Sequence, residues 1–205
     1  MKVYKFLYKI LAPIFRIIFN VHAHGEENIP EEGGLLICPN HISAPDVIMV
    51  AVATRKRPIN FMAKAEVFKV PVLGLIVKAL GAYPIRRGEG DVGAIRKTIS
   101  LLKEGRTVGM FPQGTRYKGV DPHETSIKHG AGMIAHRAGV PVLPVAIITK
   151  GYKVSVFKRV DVIFGKPILP SELGFESGSR ADQAAASEKI FTEILKLHEA
   201  GVPKK

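Results

Sequence analysis

His41 and Asp46, in the stretch Pro39-Asn40-His41-Ile42-Ser43-Ala44-Pro45-Asp46, are of the right types and spacing to move a proton. Histidine accepts a proton near neutral pH, and a carboxylate on its other ring nitrogen would fix the tautomer. On one straight helix, residues five apart point about 140° away from each other. The pair can therefore meet only if His41 lies in a turn and Asp46 in the first turn of a helix. Pro45 suits that arrangement, because proline is tolerated in a helix's opening turn. The same letters admit a second reading. Ser43-x-x-Asp46 before an apolar run also has the form of a capping box, with His41 a loop residue that has no task.

Further along, Arg86-Arg87-Gly88 and Pro112-Gln113-Gly114-Thr115-Arg116 add cations beside glycine. Guanidinium offers paired donors in a plane, which suits a phosphate, although a solvated basic turn would read the same. Cys38 sits in an apolar run that would hide its sulfur, so it is a weak nucleophile. His22-Ala23-His24 lacks the further ligands that a metal site needs, and no metal is expected.

These residues need elements to place them. Leu35 to Cys38 reads as a buried strand and residues 46–54 as a helix. A strand over 59–63 delivers Lys64, and residues 66–80 form a helix interrupted by Pro71 and Gly74. Asp91 caps a helix whose apolar face is Val92, Ile95, Ile99 and Leu102, and Gly105 stops it. A strand over 107–111 leads into the Gln113–Arg116 turn, where glycine lets backbone approach a ligand. A helix at 126–138 ends at Gly139. The strand 141–148 is apolar on both faces, as in the middle of a covered sheet. Two further strands within 153–168 and a last helix over 180–200, with Ile190, Phe191, Ile194 and Leu197 inward, complete the chain. The expected class is α/β, a mixed, mostly parallel central sheet flanked by helices.

Residues 1–24 are expected to be an amphipathic membrane-associating helix, and 25–205 a single α/β domain. The first twenty residues mix aromatic and branched side chains with Lys2, Lys5, Lys9 and Arg16, and their longest apolar run, Ile10 to Phe15, is far short of the ~20 residues that span a bilayer. The alternative is a helix docked on the protein's own core. With 30 Lys+Arg against 18 Asp+Glu, the formal charge is +12, which favours acidic partners. Nucleic acid is not expected, because the aromatics are not interleaved with basic residues as stacking platforms require. A single cysteine excludes an internal disulfide.

Four stretches in order resemble the lysophosphatidic acid acyltransferases, the 1-acyl-glycerol-3-phosphate acyltransferase (PlsC-like) family. Asn40, His41 and Asp46 match its Asn-His-x4-Asp motif. Lys64, Gly74 and Arg87 fall on the spacing of its second motif, with Val67 in place of leucine. Phe111-Pro112-Gln113-Gly114-Thr115-Arg116 matches its Phe-Pro-Glu-Gly-Thr-Arg, and Val140 to Val145 its Val-Pro-hydrophobic-Pro-Val strand. The departure is Gln113, which keeps donor and acceptor capacity but loses the carboxylate's charge.

The resemblance implies an O-acyltransferase with no cofactor, taking its acyl group from acyl-CoA or acyl-carrier protein and passing it to lysophosphatidic acid, or else to another lysolipid or glycerol-3-phosphate. It implies His41 as base and Asp46 as its orienter. Asn40, Lys64, Arg87, Gly114, Thr115, Arg116 and Pro144 would contact substrate. It further implies an enzyme seated on the cytoplasmic face of the cell membrane, against anionic phospholipid. A non-catalytic membrane-binding protein would share the N-terminal segment without a working dyad.

Overall fold

The computed structural model describes residues 2–55, 57–71, 73–79, 81–85 and 91–202. A helix, α1 (Lys2–Ile18), precedes the edge strand β1 (Val21–His24). Then come β2 (Leu35–Pro39), α2 (Asp46–Ala53), β3 (Ile59–Lys64), α3 (Leu73–Ala79) and β4 (Tyr83–Ile85). The second half runs α4 (Val92–Lys103), β5 (Thr107–Gly109), α5 (Gly130–Ala138), β6 (Val142–Thr149), β7 (Val160–Phe164) and α6 (Arg180–Ala200).

The seven strands form one sheet in the order β1-β7-β6-β2-β5-β3-β4. The block β6-β2-β5-β3-β4 is parallel throughout, and β7 turns back against β6 with β1 parallel beside it. This is the mixed, mostly parallel sheet expected from the alternation of strands and helices. All five parallel strands end at one edge, so the turns after β2, β3 and β5 share it.

Side-chain alternation sends the two faces of each strand to different helices. Leu35, Ile37, Leu143, Val145 and Ile147 pack with Met49, Val50 and Ala53 of α2. Leu36, Cys38, Val108 and Val142 pack on the other face with Leu101 and Leu102 of α4, Ile134 of α5, and Ile190, Phe191 and Ile194 of α6. The central strands β2 and β6 are buried on both faces, as their unbroken apolar runs require.

Several expectations shift. Val21–His24 belongs to the sheet, paired with β7, so the N-terminal helix ends at Ile18 and the boundary does not fall at residue 24. Residues 153–168 hold one strand, because the basic connection after β6 is taken up by turns. The buried face of α4 is Ala94, Thr98, Leu101 and Leu102, with Val92 exposed. The Thr98 hydroxyl lies 2.7 Å from that of Tyr83, so the helix turns a polar side chain inward to satisfy a buried phenol. Asp91 does cap α4, accepting the Ala94 N–H.

α1 divides its surface. Tyr8 and Arg16 donate to the Val52 carbonyl of α2, and Ala12 between them is buried. On roughly the opposite side, Ile10, Ile14 and Ile17 remain exposed. Among the described residues no helix is long and apolar enough to cross a membrane.

Candidate active site

The turn after β2 brings His41 and Asp46 together. Pro45 is the residue before α2 and Asp46 its first, so the carboxylate sits at the helix start and points back into the turn. His41 Nδ1 lies 2.8 Å from Asp46 Oδ2. The same oxygen accepts the N–H groups of Ile42 at 2.6 Å and Ser43 at 2.7 Å. The carboxylate thus faces the imidazole, whereas the capping box does not form: the residue before α2 is Pro45, no side chain caps the helix, and of the box's two bonds only one is made, from the Ser43 N–H to Asp46. Its charge-assisted bonds to two backbone donors lock the geometry of the third. Asp46 is fully buried, and its Oδ1 has no hydrogen-bond partner among the described residues.

Two further contacts hold the ring. Phe111 stacks on it with centroids 3.8 Å apart and planes 17° from parallel. From behind, Gln113 Oε1 accepts the His41 backbone N–H at 2.5 Å. The Gln113 amide then donates to Thr125 Oγ1, whose hydroxyl donates to the Pro122 carbonyl. Gln113 is therefore buried and braces the His41 turn from the β5 side. A carboxylate at this position could accept the same N–H, so the brace needs an acceptor rather than a charge.

His41 Nε2 has no hydrogen-bond partner among the described residues. The ring lines a cavity of about 110 Å³ together with Met62, Ile85, Gly109, Met110, Phe111 and Gly114. The walls are apolar apart from backbone, which suits a hydrocarbon chain near a base that is otherwise held. Gly114 adopts φ +66°, a left-handed conformation that turns the chain tightly beside the cavity.

The other expected site residues separate into groups. Lys64 ends β3 at this edge, in an exposed ion pair of 3.4 Å with Glu66. Thr115 and Arg116 are exposed beyond Gly114, and Arg116 has no acidic partner among the described residues. Arg87 lies outside the described residues. Asn40 and Pro144 are placed differently from the expected substrate contact. The Asn40 amide is buried, donating to the Ile147 carbonyl at 3.1 Å and accepting its N–H at 2.6 Å, so it ties the turn to β6. Pro144 is buried in β6 opposite Cys38, on the face away from Leu143 and Val145, against Gly165. The Cys38 thiol is buried, and burial pushes its pKa well up, so it supplies no thiolate.

Sequence reasoning missed Phe111 and Gln113 as supports of His41. The available signals were their place after a buried strand and in the Phe111–Arg116 motif, neither of which points to His41.

The sequence model of the acyltransferase family matches residues 20–148. The chain is 31% identical to the 1-acyl-sn-glycerol-3-phosphate acyltransferase of Bacillus subtilis, across 95% of this chain and 96% of that protein. It is 33% identical to the enzyme of the same name from Streptococcus pneumoniae, across 93% of this chain and 70% of that one. The crystal structure of the 1-acyl-sn-glycerophosphate acyltransferase PlsC from Thermotoga maritima superposes with a TM-score of 0.68 at 29% identity, covering 99% of this chain and 80% of that one.

Proposed function

Because the chain belongs to the acyltransferase family, we propose that it moves a fatty acyl group from an acyl thioester to the sn-2 hydroxyl of 1-acyl-glycerol-3-phosphate, forming phosphatidic acid. One observation carries the reading: an imidazole held at Nδ1 by a buried carboxylate, with Nε2 unpartnered among the described residues at an apolar cavity.

In this mechanism Nε2 takes the proton of the acceptor hydroxyl as its oxygen attacks the thioester carbonyl. Asp46 keeps the proton of the neutral ring on Nδ1 and stabilises the imidazolium that forms. The Phe111 face, stacked on that ring, fixes the plane of the imidazole. Collapse of the tetrahedral intermediate breaks the C–S bond, and the imidazolium returns its proton to the departing thiolate. No nucleophile from the protein is needed, because the acceptor supplies the oxygen.

The acceptor's phosphate is assigned to Lys64, Arg87 and Arg116, of which Lys64 and Arg116 are carried at the carboxyl edge. The donor is acyl-CoA or acyl-carrier protein. α1 lies along the cytoplasmic face of the membrane, with Ile10, Ile14 and Ile17 toward the lipid.

The test is thiol release from oleoyl-CoA, and separately from oleoyl-acyl-carrier protein, in detergent micelles with and without 1-acyl-glycerol-3-phosphate. Release that requires the acceptor and disappears in His41→Ala, with circular dichroism unchanged, supports the reaction and the base. Acceptor-independent release, or near-normal turnover in the folded variant, overturns the mechanism.

A further inference from the structure

β6 runs parallel to β2, so the connection from β6 to β7 leaves the sheet at the edge that carries His41. Its sequence is Lys150-Gly-Tyr-Lys-Val-Ser-Val-Phe-Lys-Arg159. Tyr152 and Val154 pack inward against the α2-side core. Val156 and Phe157 do the reverse, standing 53% and 69% exposed. Phe157 has φ +61°, a left-handed conformation that is unfavourable for a bulky side chain. It is held there by its own N–H, which donates to the Ile18 carbonyl at 2.7 Å, and by the Lys158 N–H, which donates to Ser155. The fold thus maintains a strained backbone to present a phenyl ring to solvent.

The bond to Ile18 also places Phe157 at the end of α1, beside Ile17, which is 71% exposed. The apolar stripe of Ile10, Ile14 and Ile17 therefore continues onto the loop tip. Cations surround it. Lys150, Lys153, Lys158 and Arg159 line a groove of about 490 Å³ behind the tip. Arg159 pairs with Asp161, whereas the three lysines have no acidic partner among the described residues. An apolar tip backed by unpaired cations complements an interface of hydrocarbon overlaid by phosphate. It does not complement a second copy of itself, which would bring like charges together.

We infer that the β6–β7 connection is a second membrane-docking element: Val156 and Phe157 enter the acyl boundary of an anionic leaflet while Lys150, Lys153 and Lys158 hold lipid phosphates in the groove. This rests on the proposed seating of α1 and extends it to a second contact. Together the two contacts turn the carboxyl edge, with its catalytic turn, toward the lipid that supplies the acceptor.

The chain contains no tryptophan, so Phe157→Trp introduces a single fluorescent reporter. It is titrated with vesicles of phosphatidylglycerol and phosphatidylethanolamine, and with vesicles of phosphatidylcholine alone. Parallel co-sedimentation compares wild type, Val156→Ser/Phe157→Ser and Ile14→Ser/Ile17→Ser. The expected result is a blue shift and quenching by acyl-brominated lipid on the anionic vesicles, reversed by salt. Vesicle affinity should fall by about tenfold or more in the loop variant. Turnover of a short-chain, water-soluble acceptor should be unchanged in that variant.

A reporter that stays unshifted and unquenched while the protein binds vesicles overturns the loop contact and leaves α1 standing. A quenched reporter with full binding by Ile14→Ser/Ile17→Ser overturns α1 and leaves the loop. Failure to bind either vesicle overturns both. A blue shift without vesicles that grows with protein concentration overturns the lipid assignment in favour of a second copy.

Discussion

At the scale of single residues, the carboxylate of Asp46 does two tasks with one oxygen, which separates the effects of its substitutions. Asp46→Asn retains an acceptor for the Ile42 and Ser43 N–H groups, so the turn should persist, but the charge facing the imidazolium is gone. By analogy with hydrolase triads, turnover should drop by about 10³-fold or more with little change in the acceptor KM, as read from steady-state kinetics. Gln113 calls for the opposite pattern of substitution. Gln113→Ala leaves the buried His41 N–H without an acceptor, and urea unfolding should show a loss of about 1–3 kcal/mol alongside reduced turnover. Gln113→Glu keeps an acceptor for that N–H and can take the Thr125 hydroxyl proton in exchange for Pro122. It should therefore stay within about 1 kcal/mol of wild type. The sequence marks Gln113 as a departure from a family pattern. Only its contact with a backbone 72 positions away shows what the position does.

At the scale of elements, the site depends on how closely β5 and β3 pack. Gly109 pairs with Phe61, and a Cβ on Gly109 would lie 2.1 Å from the Phe61 ring. Phe61 stacks on Phe111 at 6.0 Å between centroids, and Phe111 on His41. Gly109→Ala should push this aromatic column against the His41 ring, losing about 1–3 kcal/mol in urea unfolding and lowering turnover. Gly109→Ala/Phe61→Leu should recover part of both. The strands themselves were legible, because their apolar runs are short and bounded by turn residues. The orientation of α4 was not. Val92, Ile95, Ile99 and Leu102 have a helical period, but the partner of Thr98 is Tyr83, and the pairing of those two hydroxyls is invisible in a periodicity.

At the scale of the whole molecule, the loop that carries Gln113 and Thr125 is clasped to the last helix. His123 Nδ1 lies 2.7 Å from Asp121, its Nε2 2.8 Å from Glu199 of α6, and the Tyr152 hydroxyl donates to Asp121. Hydrogen bonds to Asp121 first, and then Glu199, raise the pKa of His123 above its ordinary 6.5. A raised histidine stabilises the fold fully below that ordinary value and loses the contribution as pH rises through the raised one. Hydrogen bonds from Tyr152 and His123 lower the pKa of Asp121 below its ordinary 3.8, so its contribution is present above 3.8 and lost as pH falls through the lowered value. The clasp is complete between those limits. His198, whose ring meets that of His123 edge-on, is pushed the other way by burial and opposes the trend. The difference in urea midpoint between wild type and His123→Ala should therefore be larger at about pH 5.5 than at about pH 9. Its size should be modest, because the ring is partly exposed and screened.

The sequence by itself determined what depends on near neighbours. His41 in a turn and Asp46 at a helix start follow from five-residue spacing and a proline. The order of strands and helices follows from local periodicity, and the caps from groups within a few positions of those they satisfy, the side chain at Asp91 and the left-handed backbone at Gly139. The tertiary structure decided what depends on strand order and register. It placed β6 beside β2, and so assigned Asn40 to Ile147, 107 positions away. It turned Pro144 to the face opposite Leu143 and Val145, since a one-residue offset along a strand reverses the side chain's direction. It split α1 into a docked side and an exposed side, and joined the exposed one to Phe157. Such pairings depend on which distant segments close against each other, and no local spacing in the chain encodes that choice.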